Sequence, residues 1–163
     1  MKYWVFLCLL AVALGMQLFL PQLLPLTRYI DFPLLLVFYT ARISSPRRTV
    51  LQSWLTGLAQ DLSLSSLYPL GLQGISKMTV GTLTGFLSRH LNTEPLWIQM
   101  LILFGMALLN NWLVVLLFAV FGQQAPVNTA YPVIFSAAAT TVCYVPVHFL
   151  RYRGIKAVSP DST

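Results

Sequence analysis

The chain has 163 residues, 57% of them hydrophobic and only 9% charged, with a formal net charge of +6 and a sequence pI of about 9.7. A bilayer core of about 30 Å takes roughly 20 apolar residues per helical crossing, so six short crossings would use almost the whole chain and leave no room for a soluble catalytic domain. In a soluble protein the basic excess would suggest nucleic acid. Here no basic face is interleaved with aromatics as a stacking platform requires, so the basic residues read as topology signals instead.

The first apolar stretch runs over about 3–20 and is closed by Pro21. Ala11-Val12-Ala13 resembles a signal-peptide cleavage site, but the apolar run continues past it to Leu20, so a retained span is expected. The second stretch covers about 26–43. From Phe32 alone it is too short to cross, so Leu26–Ile30 must also be helical; Pro33 is tolerated in a first turn, and Asp31 before it can help cap a helix start. The third stretch, about 50–65, carries Gln52, Ser53, Thr56, Gln60 and Asp61, a polar side that must face protein or water. The fourth covers about 71–90, the fifth 95–121 and the sixth 129–150, with Pro146 expected to bend the sixth. Residues 151–163 form a short basic tail.

With the amino terminus inside, the inner segments hold Lys2, Arg42, Arg47, Arg48, Arg89, Arg151, Arg153 and Lys156, whereas the outer segments hold Arg28 alone. Eight basic residues against one is a strong positive-inside bias. The expected fold class is therefore all-α: an integral membrane bundle of six transmembrane helices in one domain, residues 1–150, with both termini in the cytoplasm.

Asp61 near the outer end of the third span and Lys77 two turns into the fourth lie at comparable depth. An intramembrane charge costs on the order of 2.5–3.5 kcal/mol at the centre of a span, so pairing the two is the cheapest arrangement. Asn110 and Asn111 sit mid-way along the fifth span, about 100 degrees apart, so at least one faces the interior. These four are the candidate ion pair or pocket. Gly74, Gly81, Gly85 and Ser88 share one face of the fourth helix, and Gly81–Gly85 is a G-x-x-x-G element that lets another backbone approach closely, from this chain or from a partner. Cys8 and Cys143 lie inside apolar stretches and His90 and His148 near helix ends, at no metal-ligand spacing. No catalytic Ser-His-Asp set or phosphate-cradling glycine loop occurs, so no enzymatic activity and no cofactor is expected.

Two segments resemble a known family. One is Asp31-Phe32-Pro33-Leu34-Leu35-Leu36-Val37-Phe38-Tyr39. The other runs Arg48-Thr49-Val50-Leu51, then Gly57-Leu58-Ala59-Gln60-Asp61-Leu62, then Ser65 and Ser66, then Pro69-Leu70-Gly71. A basic residue before a helix, a glycine four residues before an intramembrane aspartate, and Pro-Leu-Gly opening the next helix resemble the rod shape-determining protein MreD family over nearly the whole chain. The resemblance implies a non-catalytic scaffold of the rod complex, or elongasome, in the bacterial inner membrane. Implied partners are the single-pass protein MreC, the polymerase RodA with its penicillin-binding transpeptidase, and MreB filaments. It also implies a fold like that of the substrate-binding component of energy-coupling-factor transporters. The alternative is a substrate-binding component of a small-molecule, vitamin-type transporter, with Asp61, Lys77, Asn110 and Asn111 lining its cavity.

Overall fold

A computed structural model describes residues 3–63, 70–91, 93–122 and 130–158, with side chains described through residue 149 except at 130 and 131. Lys2, Ser65, Ser66, Pro69 and Asp161 lie outside the described residues. Every described element is helical. In chain order they are α1 (Tyr3–Leu23), a 3-10 helix (Pro25–Tyr29), α2 (Phe32–Ile43), α3 (Pro46–Ser63), α4 (Leu72–His90), α5 (Leu96–Val120) and α6 (Ala130–Val158). Among the described residues, three helical stretches are long and apolar enough to cross a membrane: Tyr3–Leu23, Leu96–Val120 and Pro132–Phe149.

The largest departure from expectation is at the second stretch. Residues Leu26–Ile30 do not extend α2; they form a separate 3-10 turn, and the chain is extended at Ile30 (φ −92, ψ 125) before α2 begins. Pro33 explains the break. It offers no N–H to the carbonyl of Tyr29, and its ring would collide with that carbonyl in a continuous helix. Alone, α2 has 12 residues and is about 18 Å long, too short to cross a bilayer. It has no need to meet lipid, since Leu34, Val37, Phe38 and Ala41 are all buried. It is instead the core around which the others pack. Its Leu36 joins Phe6, Leu10 and Ala13 of α1, its Leu34 joins Val80, Met106, Ala107 and Ala137 of α4, α5 and α6, and its Phe38 joins Leu103 and Tyr144.

Three other boundaries shift. Pro21 does not close α1 but lies within it, two residues before its end. The start of α3 is Pro46, a residue suited to a first turn because its missing N–H has no helical acceptor to lose. Finally α6 continues to Val158, so the expected tail begins as helix.

The tightest packing is between α3 and α4. A Cβ on Gly57 would lie 2.5 Å from both the carbonyl carbon of Gln73 and Cα of Gly74. Backbone meets backbone there, and only glycine permits it. Gly81 is similarly close to Ser53, whose Cβ would be 2.8 Å from an added methyl. Gly74 and Gly85 are looser, with nearest neighbours at 3.6 Å (Leu58 and Trp54) and 3.4 Å (Ala41 O). Ser88 donates its hydroxyl to Thr84 O of its own helix. The small-residue face of α4, from Gly74 to Gly85, is therefore occupied by α2 and α3 of the same chain.

Candidate functional site

The break before α2 leaves backbone N–H groups without helical acceptors. Side chains from other helices take them up. Asp31 N–H donates to Thr140 Oγ1 on α6 (3.1 Å), and Phe32 N–H donates to Gln17 Oε1 on α1 (3.2 Å). The Asp31 carboxylate caps α2 by accepting from Leu34 N–H at 2.9 Å. Its other oxygen, Oδ2, receives Lys77 Nζ at 2.7 Å, with Asn110 Nδ2 at 3.5 Å. Ser76, beside Lys77, donates to Asn110 Oδ1 at 2.9 Å. One polar centre thus ties α1, α2, α4, α5 and α6 together.

Lys77 therefore pairs with Asp31, and Asp61 is not its contact partner. The Lys77 side chain is fully buried while Asp31 keeps 16% exposure. Asn110 lies ten residues before the end of α5 at Val120, which is about 15 Å. An uncompensated ammonium at that depth would be costly in hydrocarbon, and Asp31 is held by its cap in position to meet it.

Asp61 is fully buried and is stabilised differently. Its carboxylate accepts from the N–H groups of Gly71 (2.8 Å), Gln73 (3.2 Å) and Gly74 (3.4 Å), which open α4. A carboxylate here satisfies orphan donors and sits at the positive end of the helix dipole. Gly71 contributes through its backbone, in the left-handed region at φ 99, where glycine carries no steric penalty. Of the two asparagines, Asn110 is buried in the Asp31 centre, and Asn111 points elsewhere, its Nδ2 lying 3.4 Å from Val133 O on α6. The four expected pocket residues are thus split between three settings.

A second polar centre went unrecognised in the sequence. Arg42, read there as a topology signal, lies in the last turn of α2 and clasps α5, α6 and the segment before α5. Its Nη1 donates to Gln99 Oε1 (2.6 Å) and Tyr144 OH (2.9 Å), and its Nη2 to Thr93 O (3.0 Å). Tyr144 OH donates in turn to Gln99 Oε1 at 2.7 Å, and His148 Nδ1 lies 3.2 Å from the same oxygen. The Arg42 guanidinium also lies 5.9 Å from the centroid of Phe38. The only signals for it were a glutamine one turn into an apolar helix and a tyrosine–histidine pair four residues apart on α6.

What these centres can do chemically is hold helices in register. Neither presents a nucleophile with a base, and among the described residues no group of three or more His, Cys, Asp and Glu is placed to hold a metal. A cleft of about 380 Å³ between the 3-10 helix and α6 is lined by Leu26, Tyr29, Pro132 and Phe135, which are apolar apart from one phenol. No protein-family model, curated protein or solved structure matches the chain.

Proposed function

We propose that the chain is a non-catalytic scaffold of the rod complex in the bacterial cytoplasmic membrane, crossing six times with both termini inside. In this reading it binds an MreC-like single-pass protein and helps organise a RodA-like polymerase, its penicillin-binding transpeptidase and MreB filaments. The supporting observation is that the described part of the second resembling segment fastens α3 to α4. Gly57 lets α3 touch the backbone of α4, and four residues later Asp61 caps α4 at Gly71. The aspartate is thereby a structural fastener, as a scaffold requires. The six-crossing topology is supported by the basic residues at the Arg42 end of the bundle, and α2 crosses in it as an internal half-span completed by the 3-10 helix. The Gly74, Gly81 and Gly85 face is spent within the chain, so partner helices fall to exposed faces such as that of α5, with Trp97, Leu101 and Trp112.

A second reading, a vitamin-type transport component, is favoured by one observation. Gln60 Oε1 and Gln73 Oε1, on the residues next to Asp61 and on the helix it caps, are buried without a donor among the described residues. Depletion in the native cell separates the two. The scaffold reading predicts rods that round up as lateral wall synthesis fails. Rods that keep their shape but stop growing until a vitamin is supplied would overturn it in favour of transport.

A further inference from the structure

We propose that the turn between α2 and α3, at the Arg42 end, is an anion site that takes the phosphate of an acidic phospholipid headgroup. It rests on the bundle lying in a bilayer, and not on the scaffold reading. The turn is Ser44-Ser45, followed by the 18-residue α3 that opens Pro46-Arg47-Arg48. The positive end of a helix favours acidic side chains, yet the first turn of α3 has two arginines and no acid. From Phe32 to Gln60 the sequence holds no Asp or Glu at all. A third arginine is brought in from α4, where Arg89 Nη2 donates to Ser44 O at 3.2 Å. Pro46 brings no N–H and Thr49 N–H is bonded to Ser45 O, so the N–H groups of Arg47 and Arg48, which have no intrahelical acceptor, are the backbone donors this turn offers to phosphate oxygens.

A separate observation points to a ligand acceptor at the same place. Gln52, one turn above Arg48, is only 1% exposed. Its Oε1 accepts from Ser44 Oγ at 3.1 Å, which holds the amide against the turn, and its Nε2 has no partner among the described residues. A buried amide donor left unspent is costly, and it stands beside Ser44 Oγ; with the amide turned over, Nε2 donates to that hydroxyl oxygen and the Ser44 proton is freed for a seated anion. The lipid source is indicated by what flanks the site. Leu51, Trp54 and Leu55 are exposed on α3 directly above it, an apolar track for an acyl chain beneath a held headgroup. Arg48 is itself drawn toward α1, 5.8 Å from the ring centroid of Tyr3, which leaves Arg47 and Arg89 as the principal cations.

The test is native mass spectrometry of the full chain in detergent, titrated with dioleoylphosphatidylglycerol or dioleoylphosphatidylcholine. We expect the anionic lipid to be retained preferentially. Arg89→Gln is expected to lower its affinity about fivefold, the weight of one cation at an anionic surface, and Gln52→Leu to lower it as well. Arg153→Gln, a basic residue remote in sequence on the last turns of α6, serves as the control and should change nothing. Equal losses in Arg89→Gln and Arg153→Gln would reduce the effect to diffuse surface charge and overturn the site, as would wild-type retention in Gln52→Leu. Arg89 is exposed, so its variant keeps the test valid even if Gln52→Leu folds poorly. Displacement of the bound lipid by inorganic phosphate alone would keep the anion site and overturn its assignment to lipid.

Discussion

Replacing Gly57 by alanine should destabilise the protein by about 3 kcal/mol, the upper end of what overpacking a well-filled interface costs. The same substitution at Gly15 or Gly105 should be neutral or stabilising by up to about 1 kcal/mol, since alanine is the better helix former. The sign change follows from what a methyl group meets. At Gly57 it meets the peptide backbone of Gln73 and Gly74, which cannot rotate away. At Gly15 and Gly105 it meets nothing within 4 Å. Gly81→Ala falls between, because Ser53 can turn its hydroxyl aside but its Cβ remains in the way. Gly85→Ala should be tolerated, its neighbours being at ordinary contact distance. Thermal unfolding of the purified variants in one detergent ranks them. A Gly57→Ala melting point equal to that of the parent would mean that α3 and α4 do not touch at this point.

The second large effect is at the ion pair. Asp31→Asn removes the counter-charge of a fully buried ammonium while keeping an oxygen to cap α2. Breaking a buried pair from one side costs about 3–5 kcal/mol, and that is the loss expected. Lys77→Met should cost less, since the Asp31 carboxylate that remains is partly exposed and still accepts from Leu34 N–H. The double variant, with neither charge, should be more stable than Asp31→Asn alone. The resulting coupling energy should exceed about 2 kcal/mol, within the range seen for residues in contact. The parallel cycle of Asp61→Asn with Lys77→Met should give little coupling, because Asp61 is held by backbone N–H groups of α4. A larger coupling in the Asp61 cycle than in the Asp31 cycle would reverse the assignment of partners.

That assignment also marks where the sequence stopped being readable. The helices themselves were legible, because long apolar runs between charged ends leave few alternatives in a membrane. So was the polar side of α3, whose Gln52, Ser53, Thr56, Gln60 and Asp61 are all buried. The pairing was not. Depth counted along straight spans puts Asp61 and Lys77 level, and it leaves Asp31 only the part of a helix-start cap. The break at Ile30 brings the start of α2 down into the bundle instead, level with Asn110, where Lys77 can reach it. Nothing local in the sequence specifies how far a broken helix descends. Asp61 shows the complementary error. A search for a charged partner overlooks that the first turn of a neighbouring helix supplies the same compensation with no side chain involved. Arg42 was hidden for a related reason, since its acceptors are amide, phenol and carbonyl oxygens scattered over α5, α6 and the segment before α5, and a count of charges gives no weight to them. Among the small residues, the stripe of glycines on α4 was visible, but only packing distinguishes Gly81, where a methyl presses on Ser53, from Gly74 and Gly85, which have more room.

The Asp31–Lys77 pair, the Asp61–Gly71 cap and the Arg42 clasp join helices of the same chain, and the proposed scaffold reading places the function in what the bundle holds together. The most direct measurement is to isolate the tagged full-length chain from its native membranes in mild detergent and identify by mass spectrometry what travels with it. The scaffold account predicts an MreC-like single-pass protein together with a RodA-like polymerase. Recovery of paired ATPase subunits or a bound vitamin-like molecule in their place would contradict it.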